Sequence, residues 1–339
     1  MKIYSLFLWI ALALSCNSAK VADSTRNLSS DKDANVRFAS TITAENLKKH
    51  LFVYAGDEME GRMTGSEGQK KAANYIKDFY QEHSIPSPLG KTYFQPIPAS
   101  YFGYSTDGKD SENVLAFIKG SEKPEEIIVI SAHLDHVGID KKGQIYNGAD
   151  DDGSGTVAVM EMARAFKMAE KAGFAPKRSL LFLHVTGEEI GLYGSRYYVE
   201  NPVFPLNQTV CNLNIDMIGR IDPEKAKTPE YIYLIGSNML SQELQDVSEE
   251  VNRKYINLEL DYKFDDPNDP NQFYYRSDHY NFAKHNIPVI FYFNGVHEDY
   301  HKPSDTPDKI EYDLLEKRTR LIFLTAWEIA NREHRLKLK

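Results

Sequence analysis

Ile127-Ile128-Val129-Ile130-Ser131-Ala132-His133-Leu134-Asp135 is the stretch that decides the fold. Its first part, Ile127–Ala132, is a short apolar run rich in β-branched residues and reads as a buried strand. More runs read the same way: Val114–Ile118, Ser179–Val185, Val210–Ile215, Tyr231–Ile235 and Val289–Phe293. Helical stretches separate some of them, at Gly155–Ala172, Ser195–Glu200 and Ser241–Lys254. Continuous apolar strands alternating with helices predict an α/β domain with a central mixed, mainly parallel β-sheet flanked by helices. Upstream, Thr43 stands where a helix cap belongs, and Ser66 to His83 carries a helical pattern. Nothing repeats internally. No stretch after residue 42 has linker composition, so residues 42–339 read as a single globular domain. Asp265–Gln272, rich in Asp, Asn and Pro, reads as an irregular loop.

The bulk composition narrows the class. With 339 residues, 42% hydrophobic and 26% charged, the chain is long enough to bury a full core. A net charge of −9 argues against a nucleic-acid partner, because phosphate binding needs a surplus of Lys and Arg. Lys2 followed by the short apolar run Ile3–Leu14 reads as an export signal, too short for a comfortable membrane span. Ala13-Leu14-Ser15-Cys16 resembles a bacterial lipoprotein cleavage site, although Ala13 stands where Leu is usual; an ordinary secretory signal is the alternative. Residues 1–15 are thus expected to be removed, and residues 16–41 to form a flexible tether. The expected location is the periplasm or the outer membrane, with a lipid on Cys16 as the only membrane contact. Cys211 then remains alone, which excludes an intramolecular disulfide, and its apolar neighbours suggest a small buried hydrophobe.

The chemistry lies at the ends of the strands. His133-Leu134-Asp135 follows one run, and Thr186-Gly187-Glu188-Glu189 follows another. Asp216 ends a third, and Asp150-Asp151-Asp152-Gly153-Ser154-Gly155 leads into a helix. Ligands of open α/β sheets bind beyond the carboxyl ends of the strands, so these groups are expected on one rim. His and carboxylates are usual donors to Zn²⁺. Alternation puts His133 and Asp135 on one side of an extended segment, where Asp135 is placed to accept a hydrogen bond from the His133 ring. Of the adjacent Glu188 and Glu189, one suits a metal and the other a general base. The Asp triplet repels itself unless a cation sits nearby. Each piece alone has a bland reading as a cap or a solvated surface, but their convergence on successive strand ends points to a metal site.

These segments are similar to the co-catalytic zinc exopeptidases, which include secreted bacterial leucyl aminopeptidases, glutamate carboxypeptidase and, more distantly, glutaminyl cyclases. The matching segments also include Gly187-Glu188-Glu189-x-Gly191-Leu192-x-Gly194-Ser195, Asn214-Ile215-Asp216-Met217-Ile218-Gly219, Ser277-Asp278-His279 and Tyr300-His301 with Asp305-Thr306. Glu60-Gly61-Arg62 looks like the family's opening. The resemblance implies two Zn²⁺ per chain. His133 and Asp216 would hold one ion, Glu189 and His301 the other, and Asp151 would bridge them. It also implies a cis peptide at Asp151–Asp152, Asp135 as the residue orienting His133, and Glu188 as general base. Tyr274 would hold the oxyanion, with Tyr275 as an adjacent competitor. His279 and Asp305 are given the structural reading.

The implied activity is removal of N-terminal residues from peptides. Glutaminyl cyclases lack the first histidine, so the presence of His133 and Asp135 favours hydrolysis with two metals. A carboxypeptidase or dipeptidase would need a cation for the substrate carboxylate, for which Arg220 and Arg276 are the candidates. No ligand position is missing, which argues against a binding protein that has lost catalysis.

Overall fold

The computed structural model describes residues 1, 33–266 and 268–339. The expected signal, Cys16 and the tether as far as residue 32 lie outside the described residues. The strands in chain order are β1 (Phe94–Ile97), β2 (Ser111–Ile118), β3 (Lys123–His133), a short hairpin of β4 (Gly138–Ile139) and β5 (Ile145–Tyr146), then β6 (Arg178–Val185), β7 (Thr209–Ile215), β8 (Tyr231–Ile235), β9 (Glu259–Asp261) and β10 (Val289–Phe293). All but the hairpin form one eight-stranded sheet in the order β1-β2-β6-β3-β7-β10-β8-β9. The neighbours β6, β3, β7 and β10 are parallel. β2 runs antiparallel to β1 and β6, and β8 runs antiparallel to β10. The sheet is therefore mixed with a parallel centre, as the apolar runs predicted. Every residue of β6, β7, β8 and β10 is buried. This is why their sequences do not alternate.

The helices are α1 (Ala34–Ala39), α2 (Ala44–Tyr54), α3 (Glu67–Glu82), α4 (Gly155–Lys171), α5 (Tyr193–Glu200), α6 (Gln242–Val251), α7 (His279–Ala283) and α8 (Tyr312–Asn331). Thr43 caps α2 by accepting from the Asn46 amide, and Ser66 caps α3 by accepting from the Gln69 amide. One boundary needs correction. The folded unit starts at Ala34 and not near Ile42. Helix α1 buries Ala34, Phe38 and Ala39, and Phe38 stacks on Trp327 of α8 at 6.1 Å between ring centroids. Polar neighbours mask this small apolar stripe in the sequence. The edge strands β1 and β9 are too short to stand out, and Pro96 in β1 suits an edge position, where its missing N–H breaks no ladder. Cys211 is fully buried in β7, and burial pushes its thiol up to about 12.

Two buried histidines give the fold an acid sensitivity. His184 on β6 lies 2.6 Å from the Tyr80 hydroxyl, and His279 stacks on Phe291. Burial lowers both rings to about 3. Below pH 6.5 the unfolded chain takes up protons that the folded chain refuses. Their contribution is thus complete above pH 6.5 and is lost as pH falls toward 3, by about 1.4 kcal/mol per pH unit for each ring. Urea unfolding of chelator-treated protein between pH 7 and pH 5 should show the wild type losing more stability on acidification than His279→Gln.

Candidate metal centre

The parallel strands deliver their carboxyl ends to one rim. β3 ends at His133, the segment after β6 carries Glu188 and Glu189, β7 runs into Asp216, and the chain after β10 returns with His297, His301 and Asp305. The Asp triplet enters between these ends, and its Asp151–Asp152 peptide is cis.

Each aspartate of the triplet solves its repulsion in a different way. Asp152 accepts from the amides of His133 at 3.2 Å, Gly155 at 2.9 Å and Met217 at 3.1 Å, which ties the triplet to β3 and β7. Asp150 accepts from the Gly219 amide at 2.7 Å and from Ser154 Oγ at 2.9 Å, and its other oxygen lies 3.1 Å from His297 Nε2. Only Asp151 faces the rim. One of its oxygens is 3.2 Å from His133 Nε2, and the other is 3.0 Å from His301 Nε2. Burial opposes its charge, but the two histidines override burial and hold the carboxyl well below the usual range.

The other predicted ligands close on the same point. His133 Nε2 lies 3.6 Å from Asp216 Oδ1, and His301 Nε2 lies 3.1 Å from Glu189 Oε2. All five predicted metal residues thus meet. A sixth group joins them unannounced. His136 Nδ1 lies 2.6 Å from Glu189 Oε1 and 3.7 Å from Asp151 Oδ2. Among the described residues, His133, Asp151 and Asp216 form one set with metal-ligand spacing, and His136, Asp151 and Glu189 form another. His133 Nε2, His136 Nδ1, Asp151 Oδ2 and Glu189 Oε1 are buried with other members of the cluster as their polar neighbours. Buried imidazoles and carboxylates crowded at this spacing fit a divalent cation such as Zn²⁺. Without an ion the cluster balances itself by protons. Burial opposes the charge on His301, yet Asp151 and Glu189 raise it to about 10.

A polar chain inside the sheet orients Asp216. Asn212 Nδ2 donates to Ser131 Oγ, Ser131 Oγ to Asn214 Oδ1, Asn214 Nδ2 to Ser277 Oγ, and Ser277 Oγ to Asp216 Oδ2 at 2.6 Å. Sequence reading missed this chain, although the polar residues inside apolar β3 and β7 were its visible signal. The loops are clamped by Arg62. This fully buried guanidinium donates to the carbonyls of Tyr54, Leu134, Asn147 and Gly148.

Some expected roles move. The Asp135 carboxylate does not bond the His133 ring, since Oδ1 stands 3.8 Å from Nδ1. The ring faces the Asp135 main-chain carbonyl at 3.1 Å instead, and the carboxylate accepts from Thr64 Oγ1 and the Glu188 amide. Asp135 therefore aims the loop bearing Glu188. Tyr274 is not in the cleft. It packs against Gly236 and His279 and lines a separate hollow with Met239 and Phe264. Tyr300 takes the cleft position beside Glu188, Asp151 and Asp216, and stacks on His301 at 3.9 Å. Tyr275 lines the outer cleft with Glu188, Glu189 and His301. Arg220 is buried and paired with Asp299 at 2.9 Å. Asp305 accepts from the Asp150 and Asp151 amides, and so has the structural role expected of it. Beside the cluster lies a hollow lined by Asp151, Glu188 and Asp216 and by the apolar Met217, Phe273, Phe291 and Phe293.

Residues 113–326 match the profile of Peptidase family M28. The chain is 28% identical over 272 residues to leupeptin-inactivating enzyme 1 of Streptomyces exfoliatus, covering 79% of this chain and 52% of that protein. It is 33% identical over 149 residues to a probable glutamate carboxypeptidase of Arthroderma benhamiae, covering 42% of this chain and 19% of the other. It thus spans about half the length of the first relative and about a fifth of the second. The solved aminopeptidase from Aneurinibacillus sp. strain AM-1 matches with a TM-score of 0.68 at 16% identity, over 90% of this chain and 98% of that one. At that identity the likeness is one of fold.

Because Ser277 reaches the cluster only through Asp216, Ser277→Ala should leave the fold intact. It should weaken divalent-metal binding about 10–100-fold, as measured by competition with a chelator.

Proposed function

This chain belongs to peptidase family M28, and on that premise we propose that it is a two-zinc aminopeptidase. His133 and Asp216 would hold one ion, Glu189 and His301 the other, and Asp151 would contribute to both sites. The observation that carries the reading is the convergence of these five side chains beside a hollow with apolar lining. Bound there, the ions supply Lewis acidity toward a carbonyl and make water acidic enough to attack at neutral pH.

The chain's own groups do the rest. Glu188 lines the hollow as well as the outer cleft. Burial raises its carboxyl well above the usual range, and Asp216 and Glu189 add to the rise while His133 opposes it. As a carboxylate, Glu188 would take the proton of the attacking water, and as the resulting carboxylic acid it would return that proton to the leaving amine. Burial and the surrounding carboxylates push the Tyr300 hydroxyl up, so it stays a phenol and serves as the hydrogen-bond donor to the oxyanion. Phe273, Phe291, Phe293 and Met217 suit an apolar first side chain, and the acidic wall opposite suits a free α-amine.

A carboxypeptidase or dipeptidase reading keeps one observation in its favour. The Arg276 guanidinium stands over the Phe273 ring at 5.1 Å and lines both the hollow and the outer cleft. It is the cation placed to meet a substrate carboxylate. Peptides blocked at one end or the other separate the readings. Unblocked and C-terminally amidated peptides with an apolar first residue should be cleaved, and N-acetylated ones should not. Release of pyroglutamate in place of free amino acids would instead indicate a cyclase. Glu188→Gln should lower turnover by about 10²–10⁴-fold with metal content unchanged; equal loss of both would overturn the base assignment. Export and lipidation at Cys16 belong to the same proposal. Cys16→Ser should release the protein from the membrane fraction of a bacterial host.

A further inference from the structure

The resemblance assigns five metal residues, yet six donors meet in the fold. We propose that His136 is the sixth protein donor and completes, with Asp151, Glu189 and His301, the shell of the second ion. This rests on the two-zinc reading above.

The ring is placed for that role. His136 is 1% exposed, and its Nδ1 faces the carboxylates of the cluster while its Nε2 is buried without a hydrogen-bond partner. Nδ1 approaches Glu189 Oε1 at 2.6 Å and Asp151 Oδ2 at 3.7 Å. The His301 ring comes from the other side, with its centroid 5.7 Å from that of His136. Its Nε2 lies 3.0 Å from Asp151 Oδ2 and 3.1 Å from Glu189 Oε2. Donors about 2.0–2.1 Å from a tetrahedral zinc stand about 3.3 Å apart, and the four distances bracket that value. Two imidazoles and two carboxylates then surround one point.

The protein holds the ring in this slot on purpose-built backbone. The His136 amide donates to the Arg62 carbonyl, and the Arg62 guanidinium fixes the Gly148 carbonyl opposite. A Cβ on Gly148 would stand 2.5 Å from ring carbons of His136, so the ring occupies space that only glycine leaves open. A bulky apolar side chain would fill this slot as well. An imidazole there brings a nitrogen donor atom among the carboxylates of Asp151 and Glu189.

The test is X-ray absorption at the zinc edge on the full chain loaded with zinc, alongside metal analysis in buffers of fixed free zinc. The wild-type chain should hold two ions that share three imidazoles. His136→Ala should keep one ion at a free-zinc concentration where the wild type keeps two. Its weaker site should lose at least about 100-fold in affinity, beyond the 10–100-fold typical of groups that only support a ligand. Two ions sharing two imidazoles in the wild type would overturn the proposal and leave the two-zinc reading standing. A wild-type chain that binds one ion would overturn both. The wild-type imidazole count needs no variant, so poor folding of His136→Ala does not blunt the test.

Discussion

Carboxylates crowded on a buried rim repel one another, and the structure is organised around giving most of them a donor. Asp150, Asp151, Asp152, Asp216, Glu188 and Glu189 all gather where the parallel strands end. Backbone amides take up Asp152 and Asp305, and serine hydroxyls take up part of Asp150 and Asp216. What is left over is Asp151 with one face of Glu189 and Asp216, and these meet histidines. The surplus of negative charge is thereby concentrated at one point. A cation bound there meets groups already fixed in place, so little ordering remains to be done on binding.

The fixing is done largely through main-chain carbonyls. Arg62 gathers those of Tyr54, Leu134, Asn147 and Gly148, and Arg318 of α8 gathers those of Ile218, Arg220 and Tyr231. Both guanidiniums are fully buried. The first holds the loops bearing His136 and the Asp triplet, and the second holds the segment after Asp216. A fork of planar donors suits this task, because one side chain satisfies several loop carbonyls that no strand or helix would pair.

Much of this was legible in the sequence. The strands showed as apolar runs because burial on both faces leaves no polar alternation to hide them. His133, Asp151, Glu189, Asp216 and His301 were visible because each sits at a run's end or in a motif spaced like that of known exopeptidases. Other features depend on how distant segments meet. His136 follows Asp135 directly, but only the packing of Gly148 and Glu189 around it shows where its ring goes. The exchange of Tyr274 for Tyr300 has the same origin, since Tyr274 and Tyr275 stand near the motif in sequence while Tyr300 reaches the cleft by lying beside His301. Asp135 was given the right neighbourhood and the wrong contact. One turn of backbone put its carbonyl, not its carboxylate, against the His133 ring.

The Arg318 clamp also bears on the order of synthesis. The chain emerges N-terminus first, and the group that pins the Asp216 segment lies on the last helix, beyond His301 and Asp305. A nascent chain that has already made His133, His136, Asp151 and Glu189 still lacks both His301 and this clamp. Such a fragment presents an acidic half-shell with no lock. Full assembly of the rim therefore waits for α8, and a truncation inside α8 that removes Arg318 withdraws support from a segment about 100 residues earlier in the chain.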